Sequence, residues 1–251
     1  MSYSREALRS DYERDGFVVV REFLAGSDLE RLQKELRRYI QDIAPRLAAG
    51  DVFYVDPQRP ETLKQMHRLE LDPFFEEYQH SSRWSELAEC LLGEPGNVHG
   101  VEWFNKPPGG SNPTPPHQDN YYFCLTPPKV LTMWLALDDI DESNGCMRYL
   151  PGSHLRGIRR HVLTQTSGFS QGIADYSEEE QQQEAVIRAK PGDLLIHHGN
   201  TIHRAEANRS PTRHRRSFAM VVHGQSCRRD EMAFDRYSNE RKQQQHELGL
   251  A

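Results

Sequence analysis

Asn112-Pro113-Thr114-Pro115-Pro116-His117-Gln118-Asp119-Asn120-Tyr121-Tyr122-Phe123 sets a histidine and an aspartate two positions apart behind a proline-rich run. On an extended segment alternate side chains point to one face. One imidazole nitrogen and one carboxylate oxygen can then share a metal ion, provided a third ligand comes from elsewhere. Gly192-Asp193-Leu194-Leu195-Ile196-His197-His198-Gly199-Asn200-Thr201-Ile202-His203 offers it, with His203 the first choice and His197 and His198 its rivals. Asp193 to His197 reads as a strand that turns at Gly199-Asn200, so His203 begins the next strand. Two histidines and one carboxylate on one face of a metal leave its other positions open, as in non-haem Fe(II) oxygenase sites. The fold therefore has to set these strands side by side.

The rest of the chain accommodates that requirement. At 251 residues it is long enough for one large core, and all-β barrels run to this size undivided. A net charge of −6 gives no reason to expect a nucleic-acid partner. Cys90, Cys124, Cys146 and Cys227 form no CxxC pair and read as reduced, ordinary residues. The N-terminus lacks the apolar core of a signal peptide, and no segment approaches about 18 uninterrupted apolar residues. A cytoplasmic enzyme with a small-molecule substrate, with neither nucleic acid nor membrane as partner, is the expectation.

Upstream, Gly16-Phe17-Val18-Val19-Val20 predicts a buried strand. Ser27 with Glu30 three residues on predicts a capping box opening a helix whose stripe is Leu29, Leu32, Leu36, Tyr39, Ile40 and Ile43. Asp72-Pro73 starts a second helix, and Ser82 a third that carries Trp84, Leu87 and Leu91 and ends at Gly93. From Val98 on, strands are expected at 98–105, 120–125, 130–138, 146–150, 184–189, 193–197 and 215–222, with a hairpin at Asn144-Gly145. The whole reads as one mainly β domain with flanking helices. Residues 1–97 are a helical support, 98–222 a jelly-roll core, and the polar stretch 156–185 a lid. The Glu/Gln runs near 178–184 and 239–247 read as solvated surface.

Asn105-Lys106-Pro107-Pro108, His117-Gln118-Asp119, Trp134-Leu135-Ala136-Leu137, Ser143-Asn144-Gly145-Cys146 and Leu150-Pro151-Gly152-Ser153-His154 resemble, in order and spacing, the phytanoyl-CoA dioxygenase family. The resemblance covers 98–222 closely and the N-terminal helices more loosely. It implies a double-stranded β-helix, a cupin-like jelly roll, with iron held by His117, Asp119 and His203. It also implies Fe(II), 2-oxoglutarate and O2 as cofactors, with decarboxylation to succinate and CO2 coupled to hydroxylation of a C–H bond.

A co-substrate carboxylate far from the metal needs a cation in a dry pocket, and arginine's planar fork suits it. The family places that arginine on a strand shortly after the distal histidine. In Arg213-His214-Arg215-Arg216, strand alternation groups Arg215 with Ser217, Ala219 and Val221, small residues that leave room. Arg216 groups instead with Phe218, Met220 and Val222, a packing face, so Arg215 is the choice and Arg216 the second. The resemblance also implies Lys64 and Trp134 as co-substrate neighbours and Gln118 as a contact beside the metal. It departs at Ala205, where a small hydroxyl residue is usual, and at Arg204, in place of glycine.

For the substrate, Tyr121, Tyr122 and Phe123 follow the metal pair, and at least one of them is expected to line the pocket, with Tyr121 and Tyr122 the choices. Arg156, Arg159, Arg160, Arg204 and Arg209 surround the site and suggest an anionic substrate, a carboxylate or phosphonate. Two other classes use a jelly roll: a metal-dependent isomerase or epimerase that turns over no 2-oxoglutarate, and a non-catalytic binding protein. The intact triad and the downstream arginine argue against both.

Overall fold

The computed structural model describes residues 4–48, 50–109, 111–164 and 171–247. Helix α1 (Arg5–Asp15) is capped by the Ser4 hydroxyl and leads into strand β1 (Phe17–Val20). Helix α2 (Gly26–Arg38) starts two residues earlier than the capping-box reading, from Ala25 and without a side-chain cap bond. Its stripe behaves as expected: Leu32, Leu36 and Tyr39 are buried, with Leu29, Ile40 and Ile43 packed beside them. Strands β2 (Val52–Tyr54) and β3 (Leu63–Met66) pair antiparallel. Asp72 accepts from the Phe74 N–H to open α3 (Pro73–Gln79). Helix α4 (Ser82–Leu92) buries Trp84, Leu87 and Leu91 and ends at Gly93.

Strands β4 (Gly96–Lys106) and β5 (Thr114–His117) follow, then a short helix α5 (Asp119–Phe123) where a strand was expected. The aromatic run favours a strand by propensity, but Asn120 overrides it locally. Its N–H donates to Gly199 O, and its side chain bridges both backbone groups of Leu125. Next come β6 (Leu125–Thr126), β7 (Val130–Ala136) and β8 (Met147–Tyr149). Strands β9 (His161–Leu163) and β10 (Gln171–Ile173) pair with each other, and α6 (Glu178–Gln182) carries a Ser177/Glu180 capping box. Within the expected lid 156–185, β9, β10 and α6 are joined by irregular segments, and residues 165–170 lie outside the described residues. Strands β11 (Ala185–Ile187), β12 (Leu194–His198), β13 (His203–Ala205), β14 (Arg215–Gly224) and β15 (Arg228–Arg229) complete the strands, and α7 (Glu231–Glu247) follows.

The strands form a seven-stranded sheet, β1-β12-β7-β14-β4-β3-β2, and a four-stranded one, β11-β8-β13-β5, with two small strand pairs beside them. Asn144-Gly145 is a turn but not a hairpin, because it carries the chain from β7 in the large sheet to β8 in the small one. The boundary at 97/98 dissolves as well. Strands β1, β2 and β3, all from the expected helical support, pair into the large sheet.

Period-two alternation decides what each face does. Leu131, Met133 and Leu135 of β7, with Phe218, Met220 and Val222 of β14, pack against the helices in one core. Trp134 and Ala136 of β7 and Ala219 of β14 point the other way, toward Met147, Tyr149 and Ala205 of the small sheet. Phe17 stacks on Tyr149 at 4.6 Å between ring centroids, joining the two sheets. The result is a jelly roll with helices on its outer face. All four cysteines are unbridged, and no described helix is long and apolar enough to cross a membrane.

Candidate active site

Strands β5 and β13 pair so that His117 and His203 are direct partners, with ring centroids 4.1 Å apart. The backbone stays extended through Gln118 and then turns helical at Asp119, which swings that carboxylate back toward both rings. Asp119 Oδ1 lies 3.5 Å from His117 Nε2 and 3.6 Å from His203 Nε2. One donor atom from each of the three residues falls within 4.8 Å of the others. His117 Nδ1 meets Pro115 O at 2.8 Å and His203 Nδ1 meets Thr201 O at 3.0 Å. A carbonyl only accepts, so both Nδ1 atoms carry the proton and both Nε2 lone pairs are left for the shared point.

Burial holds both imidazoles below their ordinary pKa, the neutral form a metal requires. Burial pushes the Asp119 carboxyl up, but the facing His203 and His197 outweigh it and leave it below the usual carboxylate range. The second oxygen of Asp119 is already engaged. It accepts from Thr132 Oγ1 at 2.6 Å and from His197 Nε2 at 3.2 Å, while His197 Nδ1 faces the Tyr149 hydroxyl at 3.1 Å. One carboxylate oxygen and two neutral imidazoles therefore converge, a donor set that fits Fe(II). His197, the rival ligand, holds the carboxylate in place from behind.

The triad opens into a cavity of about 320 Å³. Toward one end, Arg215 of β14 and Lys106 of β4 are direct cross-strand partners, both in the cavity wall and both buried. Arg215 donates through Nε to Gly145 O at 3.0 Å, and its guanidinium lies 5.2 Å from the centroid of Trp134. Burial pulls it down to about 10, still charged at neutral pH. Burial, with Arg215 and Lys64 nearby, also depresses the Lys106 ammonium well below its ordinary value, and its Nζ donates to Asn112 O at 2.7 Å. Arg216, one residue along, faces out and pairs with Asp138 at 2.5 Å.

Lys64, Trp134 and Tyr122 line the same cavity, and the Tyr122 hydroxyl donates to Gln171 O. Three expected residues are not brought to it. Gln118 is buried, with Nε2 donating to Gly157 O and Asn200 O and Oε1 accepting from the Arg159 N–H, so it ties loops together. Tyr121 stacks on His161 at 3.9 Å and reaches Glu240 of α7. Arg204 sits on the outer side of β13, since His203 and Ala205 occupy the inner one, and bonds Glu184 and Glu206. Arg159 is paired likewise, with Asp175 and Glu180. Neither of these arginines offers its charge to an anionic substrate.

A family model for phytanoyl-CoA dioxygenase (PhyH) matches residues 12–217. A phytanoyl-CoA dioxygenase of Arabidopsis thaliana is 32% identical over 68% of this chain and 61% of its own length. The peroxisomal phytanoyl-CoA dioxygenase of Bos taurus is 27% identical over 80% of the chain and 64% of its length. The chain thus spans less than two thirds of these curated relatives. Among solved structures, the epimerase SnoN in complex with Fe3+, alpha ketoglutarate and nogalamycin RO aligns with a TM-score of 0.71 at 25% identity, covering 89% of this chain and 84% of that one. EctD from S. alaskensis with bound Fe shares the fold, with a TM-score of 0.73 at 19% identity, over 89% of this chain and 77% of that one.

Proposed function

Since the chain belongs to the phytanoyl-CoA dioxygenase family, we propose that it is an Fe(II)- and 2-oxoglutarate-dependent dioxygenase that hydroxylates a C–H bond of a small molecule. One observation carries the reading: the two-histidine, one-carboxylate cluster and the buried Arg215–Lys106 pair share one cavity. A metal alone explains the first group. A cation with its fork turned into a dry cavity calls for an anion as well.

His117 Nε2, His203 Nε2 and Asp119 Oδ1 would hold the iron, with Thr132 and His197 fixing the carboxylate so that one oxygen faces the metal. Bound iron, 2-oxoglutarate and O2 together supply a two-electron oxidation of the co-substrate to succinate and CO2 and transfer of one oxygen atom to a C–H bond. Arg215 would take the far carboxylate of the co-substrate in its fork, with Lys106 beside it and Trp134 beneath. Lys64 stands near enough to add its charge. Burial of these groups excludes water and strengthens each charged contact.

An isomerase without 2-oxoglutarate turnover leaves Arg215 and Lys106 unexplained. Similarity to a 2-oxoglutarate-bound epimerase favours a second outcome, inversion at carbon with the same co-substrate, in which an added reductant such as ascorbate supplies the two electrons that hydroxylation would take from the substrate. The test is a screen of small molecules for stimulated succinate release, with mass analysis of the product. Gain of one oxygen atom supports hydroxylation and unchanged mass supports inversion. Failure of the anaerobic Fe(II) protein to bind 2-oxoglutarate would refute both.

A further inference from the structure

Away from the Arg215–Lys106 end the cavity extends over β4 and β3, and this wing carries polar groups of its own. Glu102 and Phe104 of β4 and Gln65 of β3 line it, and Gln65 lies directly across from Phe104. Glu102 Oε1 is held by His67 Nδ1 at 2.6 Å. Gln65 is 4% exposed, and its amide oxygen is buried without a hydrogen-bond partner. A buried acceptor left unpaired is costly, and native folds keep few of them. Around these two groups the wall is apolar, with Phe104, Phe123 and Val221 facing the same space. Lys64 precedes Gln65 on β3, on the side toward Lys106.

We propose that this wing seats the substrate's head group, a hydrogen-bond donor (hydroxyl or ammonium) received by Glu102 and Gln65. The substrate's apolar body lies against Phe104, Phe123 and Val221. An ionised carboxylate can only accept, so an anionic head meets repulsion at Glu102, whereas an O–H or N–H completes both acceptors. The assignment deepens the oxygenase reading by naming the kind of molecule its cavity takes, and rests on that reading for calling the occupant a substrate.

The probes are hexan-1-ol, hexylammonium and hexanoate, titrated against the full chain by saturation-transfer NMR without iron or 2-oxoglutarate. Both donor probes are expected to bind. Glu102→Gln weakens hexylammonium by about tenfold or more, the scale of one charged hydrogen bond. Gln65→Leu weakens both donor probes, and hexanoate binds Glu102→Gln no worse than the wild type. No binding of either donor probe, donor binding unchanged in both variants, or equal weakening of hexanoate in Glu102→Gln would overturn the assignment. Thermal melts report whether the variants fold, and Glu102→Asp stands in if Glu102→Gln does not. Binding of 2-oxoglutarate to the iron-loaded wild type, measured separately, bears on the oxygenase reading alone.

Discussion

Lys106 and Arg215 face each other across β4 and β14, both buried in one stretch of cavity wall. Like charges directly opposed across a sheet disfavour each other, and with burial this holds the Lys106 ammonium down, so an anion between the two side chains favours the charged lysine as well as filling a site. Arg215→Met should weaken 2-oxoglutarate binding roughly 10- to 150-fold, the loss of about 1.5–3 kcal/mol for a charged hydrogen bond. Lys106→Met should weaken it less, and Arg216→Ala not at all. Calorimetry with 2-oxobutyrate, which lacks the second carboxylate, checks the assignment: its affinity should not change in either Met variant.

Asp119 is shared between a metal-facing oxygen and an oxygen held by Thr132 and His197. Asp119→Ala should abolish iron-dependent turnover and reduce Fe(II) affinity measured by equilibrium dialysis. Thr132→Val keeps the ligand but removes one of the two bonds to its rear oxygen, and should lower metal affinity by roughly 10-fold. Unchanged iron binding in Asp119→Ala would remove that residue from the ligand set.

These residues differ in how well they could be read beforehand. His117, Asp119 and His203 were legible because ligand spacing survives any local detail that leaves the two strands adjacent. Arg215 was separable from Arg216 because alternation holds along the whole of β14. Alternation fails at Asp119, where the chain turns helical. That is why Tyr121 points toward α7, whereas Gln118, still extended, faces opposite to His117 as alternation requires and enters the loops. Lys106 was passed over because a lysine inside a strand reads as surface unless its cross-strand partner is known. Strand β1 lies far in sequence from its partner β12, and the β2–β3 pair joins the large sheet only through β4, so nothing in their own residues names that sheet.

Phe218 lies among Phe75, Tyr78 and Trp84, with ring centroids 5.8–6.2 Å away, between β14 and the helices. Phe218→Ala should destabilise the fold by about 3–5 kcal/mol through lost burial and the cavity left behind. Urea unfolding followed by tryptophan fluorescence measures it. A loss below about 1 kcal/mol would mean the outer core repacks around the gap.

His67 is half-buried, and burial alone would lower its pKa. The Glu102 carboxylate at 2.6 Å, with Asp51 and Glu70 adding to it, raises it above the ordinary value instead. A raised folded pKa stabilises the fold fully below the unfolded value, near 6.5. That stabilisation is lost as pH climbs through the folded one. The urea midpoint of the wild type should therefore exceed that of Glu102→Gln by more at about pH 5.5 than at about pH 8.5. An equal gap at both would show that the pair does not titrate with folding.

Gly145 ties the co-substrate end of the cavity to the turn between the sheets. Its φ of 88° lies in the left-handed region, and a Cβ there would meet Glu206 O at 2.5 Å and Lys106 Cδ at 3.1 Å. Its carbonyl also receives Arg215 Nε. Gly145→Ala should therefore act twice, adding about 1–3 kcal/mol of backbone strain and pushing Lys106 and Arg215 off their common target. The two effects separate experimentally, since strain lowers the melting temperature of the free protein whereas displacement weakens 2-oxoglutarate binding in the protein that remains folded. A variant that melts early yet binds 2-oxoglutarate with wild-type affinity would show that the turn shapes the fold without aiming the cations.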